Sequence, residues 1–335
     1  MAYLPGWLPE VFQDLNAGKN RNLITSVLIE KSVLNWLLEG DVSIQFQVKR
    51  DLLGITDLSL QNRIEKDGWG KLILSKRHKN GSWGERFYQP KWISTHYTLL
   101  DLRNLNLPQN NPLIKSSIDQ VLMNNKALDG GIQLGPSTYK NSDICVNGMF
   151  LNYASYFKTD ESKLKSVIDS ILKEQMEDGG YNCESNHGGA QHSSLHSTIS
   201  ILEGLQEFLY AGYTYRKLEI LNSIQNGIEF ILIHHLYKSD KTWAIIQKDF
   251  LKLTYPCRWK YDVLRALDFM QYAKIPYDPR MDEALEFLNS KKNKNGVWPM
   301  QAAHPGKVHL VMEPTSKASR WNTLRALKVL QFYSK

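Results

Sequence analysis

The sequence contains little cysteine and no long apolar run. Three cysteines occur among 335 residues, at positions 145, 183 and 257. Their odd number and wide spacing exclude a disulfide framework and are typical of a protein in a reducing compartment. The first twenty residues lack the apolar core of a signal peptide, and no stretch approaches the roughly eighteen apolar residues of a membrane span. We therefore expect a cytoplasmic location and no transmembrane segment.

The sequence also lacks a compact run of basic residues, although positive charges outnumber negative ones. Lys and Arg number 41 against 34 Asp and Glu, which gives a formal net charge of +7. Nucleic-acid-binding proteins usually concentrate such charge on one face or along one helix. We expect no nucleic-acid partner, and we interpret the excess charge either as solvated surface or as part of a site for an anionic ligand.

Helical periodicity is what the sequence does contain. Apolar residues recur at helical spacing from residue 23 to residue 38, Gly40 ends that helix, and Asp41 can cap a second helix that runs to Gly54. These two helices form the first predicted hairpin. The first twenty residues carry two prolines and two glycines, so we expect an N-terminal arm over 1–20 and a single domain over 21–335.

The helix–turn–helix plan recurs with a period of roughly fifty residues, as in stacked helical repeats. Five further pairs are predicted: 58–77 with 93–105, 112–126 with 143–157, 162–175 with 192–210, 216–236 with 258–272, and 281–291 with 317–333. The second helix of each pair is apolar on most sides, which indicates burial between other helices. Because no pair can bury its apolar surface alone, the pairs must stack. The sequence therefore predicts an all-α fold, an α/α toroid in which six hairpins close into a ring, with 241–246 as a short extended piece.

Each predicted inner helix begins with polar or ionisable residues. In a closed ring these starts share one face and converge on a central cavity, which is a usual place for a small-molecule ligand. The candidate ligand-binding residues at these starts are His96, Tyr97, His192, Arg258, Tyr261, Asp262, Arg320 and Trp321. The two arginines either receive an anionic head group or form salt bridges with Asp262 or Glu313.

Several segments resemble the repeat of the prenyltransferase and squalene-cyclase family. They are NGSWG (80–84), DGGYNC (178–183), NGVW (295–298) and the pair LRALDFM (264–270) and LRALKVL (324–330). The resemblance implies an α/α toroid of six helical hairpins. The Asp-x-Asp-Asp motif with which class II terpene cyclases protonate their substrate is absent, and 278–282 has the wrong spacing for the Asp-Asp-x-x-Asp motif of class I enzymes. Cyclisation by either route is not expected.

Within that family the β subunit of protein prenyltransferases is the most similar to this sequence. Those enzymes hold zinc with an Asp-x-Cys pair at one inner-helix start and a His at the next. The resemblance implies Asp143, Cys145 and His196 as ligands of Zn²⁺, which would activate a substrate thiol. His192 could replace His196 as the ligand or orient it, since the two are predicted to share a helix face. Lys140 is the residue implied for binding a diphosphate.

Helix geometry places a condition on this zinc site. Residues at i and i+2 of a continuous helix point to different faces, so Asp143 and Cys145 can share a metal only at a helix N-terminus. Asp is a favoured capping residue, and a helix start favours the thiolate that binds metal. The alternatives are Asp143 as a plain cap, Cys145 as a buried apolar residue, and the histidines as polar residues of the cavity wall. The Arg and Tyr that accompany the site in the family are Ser137 and Val146 here.

Three functional hypotheses follow. The leading one is a prenyltransferase-like protein that binds an isoprenoid or other lipid-like or anionic ligand in the central cavity, with zinc-dependent transfer as its catalytic form. The second is a carbohydrate-active α/α-barrel enzyme, a lyase or hydrolase. It would need paired acids, such as Asp143 with Asp262 or Glu313, and aromatic platforms such as Trp259 and Trp321. The third is a non-catalytic binding or scaffold protein. Protein prenyltransferases need a partner subunit, and no partner can be identified from the sequence.

Overall fold

The structure, a computed structural model, describes residues 29–135, 141–183 and 189–334. The α-helices in these ranges are α1 (Lys31–Leu38), α2 (Val42–Leu53), α3 (Leu58–Arg63), α4 (Gly68–Leu74), α5 (Thr95–Asn104), α6 (Pro112–Asn124), α7 (Ile144–Tyr156), α8 (Glu161–Lys173), α9 (Leu195–Tyr210), α10 (Lys217–Ile233), α11 (Val263–Tyr272), α12 (Asp282–Ser290) and α13 (Arg320–Tyr333). Extended pairing within these ranges is limited to isolated bridges, one of which joins Lys238 to Ile245 in the predicted extended piece.

The inner helices form a closed ring. Helices α5, α7, α9, α11 and α13 pack side by side in chain order, and α13 packs back against α2. The ring is completed between α2 and α5, where the Gln47 side chain donates a hydrogen bond to the Asn104 carbonyl oxygen at 3.0 Å. Helices α8, α10 and α12 lie outside, against α7, α9 and α11. The predicted all-α toroid is thereby confirmed.

Two glycines set the closest helix contact in the ring, between α7 and α9. A Cβ atom at Gly148 would lie 2.5 Å from the Ser200 carbonyl oxygen, and one at Gly204 would lie 2.3 Å from the Gly148 carbonyl oxygen. Both distances are far below a van der Waals contact, so larger residues would push the two helices apart. Close packing here brings the starts of α7 and α9 together at one end of the ring.

The Gly-x-Trp turns of the repeat have a common structural role. Each buried Trp donates its indole N–H to a carbonyl near the end of the outer helix and its backbone N–H to a threonine hydroxyl of the inner helix. The same two hydrogen bonds, 2.7–3.0 Å long, occur at Trp83 (to Ile73 and Thr95) and Trp298 (to Leu288 and Thr323). The motif therefore joins the two helices of a hairpin, because a buried N–H needs a partner.

The segment predicted as one helix over 58–77 is two short helices. Helix α3 ends before a turn, and Gly68 begins α4 with a φ of +60°. The Asp41 carboxylate explains the break, because it caps α2 through the Ser43 N–H and also accepts the Trp69 N–H at 2.8 Å. A Cβ at position 68 would lie 2.1 Å from that carboxylate. One acidic side chain thus anchors the starts of two helices.

Several inner helices begin later than predicted, and at two of them the difference changes where predicted site residues lie. Helix α9 starts at Leu195, so His192 precedes the helix, and the prediction that it shares a face with His196 is wrong. Helix α11 starts at Val263, whereas the prediction placed its start at 258. Arg258 has a φ of +56°, a left-handed conformation that cannot continue into an α-helix. Both changes move predicted site residues from a helix into the preceding loop.

Some predictions lie outside the described residues, among them the N-terminal arm over 1–20. None of the described helices combines the length and the apolarity needed to cross a membrane.

Candidate functional site

Aromatic side chains gather where α5 begins. The aromatic cluster consists of Phe87, Tyr88, Trp92, His96, Tyr97 and Tyr153. The ring centroids of Trp92 and Tyr97 are 4.9 Å apart, and those of His96 and Tyr97 are 5.0 Å apart. The Tyr88 and Tyr97 hydroxyls share a hydrogen bond of 2.7 Å. Two of the predicted site residues, His96 and Tyr97, are therefore in contact with each other in this cluster.

His96 is a neutral imidazole inside the aromatic cluster. Its side chain is fully buried, and burial lowers its pKa to about 3. Nδ1 lies 3.3 Å from the Tyr153 hydroxyl, whereas Nε2 has no hydrogen-bond partner among the described residues. Buried polar atoms without a partner are costly, so this nitrogen is a candidate contact for a ligand.

Below the cluster, Arg258 reaches from the loop before α11 to Asp101 on α5. Their charged atoms are 3.6 Å apart, and both side chains are 5% exposed. The guanidinium carbon lies 4.5 Å from the centre of the Trp92 ring. Asp101 Oδ1 and Arg258 Nε have no hydrogen-bond partner in the described ranges. The salt bridge of Arg258 is thus with Asp101, and not with Asp262 or Glu313, the two partners expected from the sequence.

The pKa of Asp101 lies in the range that suits a proton-transfer group. Burial raises its pKa to about 6, although the positive charge of Arg258 acts in the opposite direction. A carboxyl group with such a pKa exchanges its proton near neutral pH, which is the property of a general acid or base. This residue was missed in the sequence. The available signal was the single carboxylate of this helix, four residues after Tyr97, a spacing that places both side chains on one face.

The loop between α12 and α13 covers the start of α5. The Trp92 indole donates a hydrogen bond of 2.6 Å to the Pro305 carbonyl oxygen, and His309 Nε2 lies 2.8 Å from the Thr98 hydroxyl. Burial lowers the pKa of His309 to about 4. A groove of about 390 Å³ lies beside this loop, and His309 and Ile93 are among the residues that line it.

Several predicted ligand-binding residues have structural contacts instead. Asp262 caps α11 by accepting the Arg265 N–H at 2.8 Å, and the Tyr261 hydroxyl donates to the Leu236 carbonyl oxygen. Burial raises the pKa of Asp262, and the nearby Arg325 acts against that rise. These groups hold the start of α11 in place and are not part of the aromatic cluster.

The start of α13 is held in a similar way. The Trp321 ring stacks on Tyr255 at 4.5 Å and on Trp69 at 6.0 Å. The Arg320 guanidinium stacks on Trp36 at 4.5 Å and donates to its carbonyl oxygen, so this side chain points toward α1. Glu313 accepts the backbone N–H groups of Arg320 and Trp321. The predicted salt bridge to Glu313 is thus replaced by a helix cap.

Two cysteines meet where α7 begins. The Cys183 sulfur accepts the Cys145 N–H and the Ser197 hydroxyl, each at 3.3 Å, and the two thiols are themselves hydrogen-bonded. The hydrogen bond from Cys145 is the main cause that lowers the pKa of Cys183 and raises that of Cys145. The charge of Asp143 acts on both sulfurs. Asp143 stands at the cap position without a side-chain cap hydrogen bond.

His196 belongs to a different cluster. Its Nδ1 accepts the Tyr261 N–H at 2.8 Å, and its ring packs between Phe250 and Trp259 at 5.2 and 5.1 Å. Burial lowers its pKa to about 4. One of its ring nitrogens is therefore already used as an acceptor. His192, in the loop before α9, is exposed.

The predicted zinc ligands do not form one group in this arrangement. Asp143 and Cys145 lie with Cys183, whereas His196 contacts Tyr261. Among the described residues, no three His, Cys, Asp or Glu side chains are placed to hold a metal ion. The donor set as folded does not fit zinc, and zinc stays a prediction. Lys140, the residue implied for diphosphate, lies outside the described residues.

The fold and this site define an α/α toroid with a buried aromatic and ionisable centre, and the comparisons agree with the toroid fold. No family model matches the chain. Cis-abienol synthase of Nicotiana tabacum is 24% identical over 171 residues, which is 50% of this chain and 18% of that protein. The chain thus spans less than a fifth of its curated relative.

Two solved structures of other proteins resemble the fold of this chain. A possible member of the GH105 family from Salmonella enterica aligns with a TM-score of 0.50 and 10% identity. The alignment covers 88% of this chain and 83% of that protein's chain. A type II terpene cyclase of Scytonema aligns with a TM-score of 0.33 and 11% identity, over 91% of this chain and 99% of the cyclase chain. The first of these likenesses shows a shared fold and leaves the substrate open.

Proposed function

We propose that this chain is an enzyme that binds an isoprenoid-like, largely apolar ligand at the aromatic cluster and exchanges a proton with it through Asp101. The buried pair of Asp101 and Arg258 beneath Trp92 is the observation that carries the proposal. An ion pair that only stabilised the fold would be expected to satisfy its polar atoms internally. Here Oδ1 of the carboxylate and Nε of the guanidinium lack partners among the described residues.

The chemistry of the pair suits a proton donor. Protonated Asp101 gives its proton to a carbon of a ligand double bond, which leaves a carboxylate on the protein and positive charge on the ligand. Arg258, 3.6 Å away, stabilises the carboxylate after the proton has left. Aromatic ring faces attract cations, and Trp92 and Tyr97 are the rings of the cluster that pack against each other beside the pair.

An apolar ligand agrees with the aromatic lining of the site and with the partial similarity to cis-abienol synthase. Asp101 stands in the segment THYTLLDLRN and outside any Asp-x-Asp-Asp motif. Its acidity would therefore depend on burial and on one arginine. Zinc takes no part in this proposal.

The carbohydrate alternative is weaker on the details of the site. Glycoside hydrolysis usually uses two carboxyl groups that flank the scissile bond. Asp262 and Glu313, the acids suggested for such pairs, are engaged in the caps of α11 and α13. Trp321, suggested as a sugar platform, is stacked between two other rings and is 2% exposed.

The test combines ligand identification with a single substitution. The purified protein is extracted and screened by mass spectrometry, and turnover is measured with isoprenyl diphosphates, with isoprenoid hydrocarbons and with an oligosaccharide panel. We expect isoprenoid turnover that Asp101→Asn lowers about 100-fold or more, because a general acid contributes at least that much. Asp119→Asn, which removes an exposed ion pair with Lys163 on the outer surface, is the matched control. Consumption of oligosaccharides alone, or full activity in Asp101→Asn, would refute the proposal.

A further inference from the structure

Cys145 and Cys183 are far apart in sequence but adjacent in the fold. They are separated by 38 positions, and the Cys183 sulfur lies 3.3 Å from the Cys145 backbone nitrogen. Cys145 lies in the first turn of α7, and Cys183 follows the glycine turn that precedes α9. Both are free thiols, and both are partly exposed. The close packing of α7 on α9 is what brings them together.

Hydrogen bonds hold the Cys183 sulfur against the start of α7. The sulfur accepts hydrogen bonds from the Cys145 N–H and the Ser197 hydroxyl, each at 3.3 Å. The Cys183 backbone N–H donates to the same hydroxyl at 3.2 Å. These contacts fix Cys183 beside Cys145, which is the proximity that a thiol–disulfide exchange between them requires.

We propose that Cys145 and Cys183 form a redox modification site that closes as a reversible intramolecular disulfide. The co-reactant is a small disulfide of the glutathione class. This inference does not depend on the ligand or on the reaction proposed above.

The reaction is a double thiol–disulfide exchange. The Cys183 thiolate attacks one sulfur of the small disulfide and displaces one small thiol. The Cys145 sulfur then attacks Cys183 and displaces the second small thiol. The two protein sulfurs lose two electrons in total, the small disulfide gains them, and the two protons of the protein thiols end on the two small thiols.

Closing this bond would tie the start of α7 to the turn before α9.

Cys257 provides a matched control within the same chain. It is buried at 8% exposure, its sulfur donates to the Thr254 carbonyl oxygen, and it accepts from the Arg325 guanidinium. Burial raises its pKa to about 12. Among the described residues no second thiol contacts it, and the thiol is held in its protonated form, so it should stay reduced.

The experiment uses the full chain in a series of buffers with increasing ratios of oxidised to reduced glutathione. Each sample is quenched in acid, unfolded, alkylated and weighed by intact mass spectrometry, and a non-reducing digest maps any cross-link. We expect three alkylated cysteines in the reduced protein and one, Cys257, in the oxidised protein. The cross-linked peptides should contain Cys145 and Cys183. Because the mapping uses the unmutated chain, it does not depend on whether a variant folds.

Serine variants of the three cysteines then test whether the bond needs Cys145 and Cys183 and not Cys257. Cys257→Ser should still lose two labels on oxidation, whereas Cys145→Ser and Cys183→Ser should lose the intramolecular bond. Three labels throughout the oxidising series would overturn the proposal. So would glutathione adducts without a cross-link, a bond through Cys257, or a bond between two chains.

Discussion

Asp101 and Asp268 are both carboxylates in the middle of inner helices, and they differ in the cations that surround them. Asp268 on α11 lies 2.9 Å from Arg325 and 3.2 Å from Lys328, and these two cations hold its pKa below its usual range. Asp101 has one arginine at 3.6 Å, and burial raises its pKa to about 6. Burial disfavours both charges, and the number and distance of the cations decide the outcome.

The cations around Asp268 join several inner helices. Lys328 on α13 also contacts Asp51 on α2 at 3.5 Å, so it bridges the helices on either side of its own. Arg103 on α5 pairs with Glu207 on α9, the next inner helix but one in the ring. The comparison teaches that two close cations offset the burial of Asp268, whereas the single, more distant Arg258 does not offset the burial of Asp101.

The largest expected effect comes from breaking the ion-pair network around Asp268. Asp268→Asn leaves Arg325 and Lys328 without their shared carboxylate, and the side chains of these two residues are only 9% and 14% exposed. Removing one partner of a buried ion pair costs about 3–5 kcal/mol. We expect a loss near the lower end of that range, measured by denaturant unfolding. A loss below that of Asp101→Asn would show that the number of nearby cations does not set the cost.

A pH titration of stability tests the opposite behaviour of Asp101. Its pKa rises from an ordinary value of 3.8 to about 6 on folding, so the folded chain binds this proton more tightly than the unfolded chain. The group therefore stabilises the fold fully below pH 3.8 and loses that contribution as pH rises through about 6. The full change is about 3 kcal/mol for a shift of this size.

Measurement compares the free energy of unfolding of the unmutated chain and of Asp101→Asn between pH 4 and pH 6.5, a window set by the pKa of about 6. The variant should lack the fall in stability that this carboxyl causes. Asp268 has the opposite sign, because its lowered pKa gives stability that is present above its ordinary pKa and lost as pH falls. Parallel curves for the two proteins would show that Asp101 is not perturbed.

The smallest effect is expected on the outer surface. Lys163 and Asp119 form an ion pair between α8 and α6, and their side chains are 49% and 50% exposed. Exposed pairs contribute about 0–1 kcal/mol because water and salt screen them. Lys163→Ala should change the unfolding free energy by no more than this, in the same denaturant experiment. A cost equal to that of Asp268→Asn would mean that burial is not what separates the two cases.

Much of the candidate site could not be predicted from sequence. His96 and Tyr97 could be predicted because they lie in the first turn of an inner helix, and the spacing of apolar residues indicates where that helix begins. Asp101 was missed because its acidity depends on Arg258, which approaches from a different hairpin. His196 was expected beside Cys145, yet it accepts a hydrogen bond from Tyr261, again in another hairpin. The residue pattern within one hairpin does not show which loop of another hairpin will pack against the start of its inner helix.

The sequence by itself determined the class of fold. Helical periodicity, glycine-ended turns and the Gly-x-Trp repeat are local signals, and a repeated hairpin that cannot bury its own apolar face must stack on its neighbours. Only the tertiary structure decided the pairing of Asp101 with Arg258, the separation of His196 from Cys145, and the meeting of Cys145 with Cys183. Each of these depends on the approach of residues from different hairpins, which is set by side-chain packing such as the Gly148–Gly204 contact of α7 with α9.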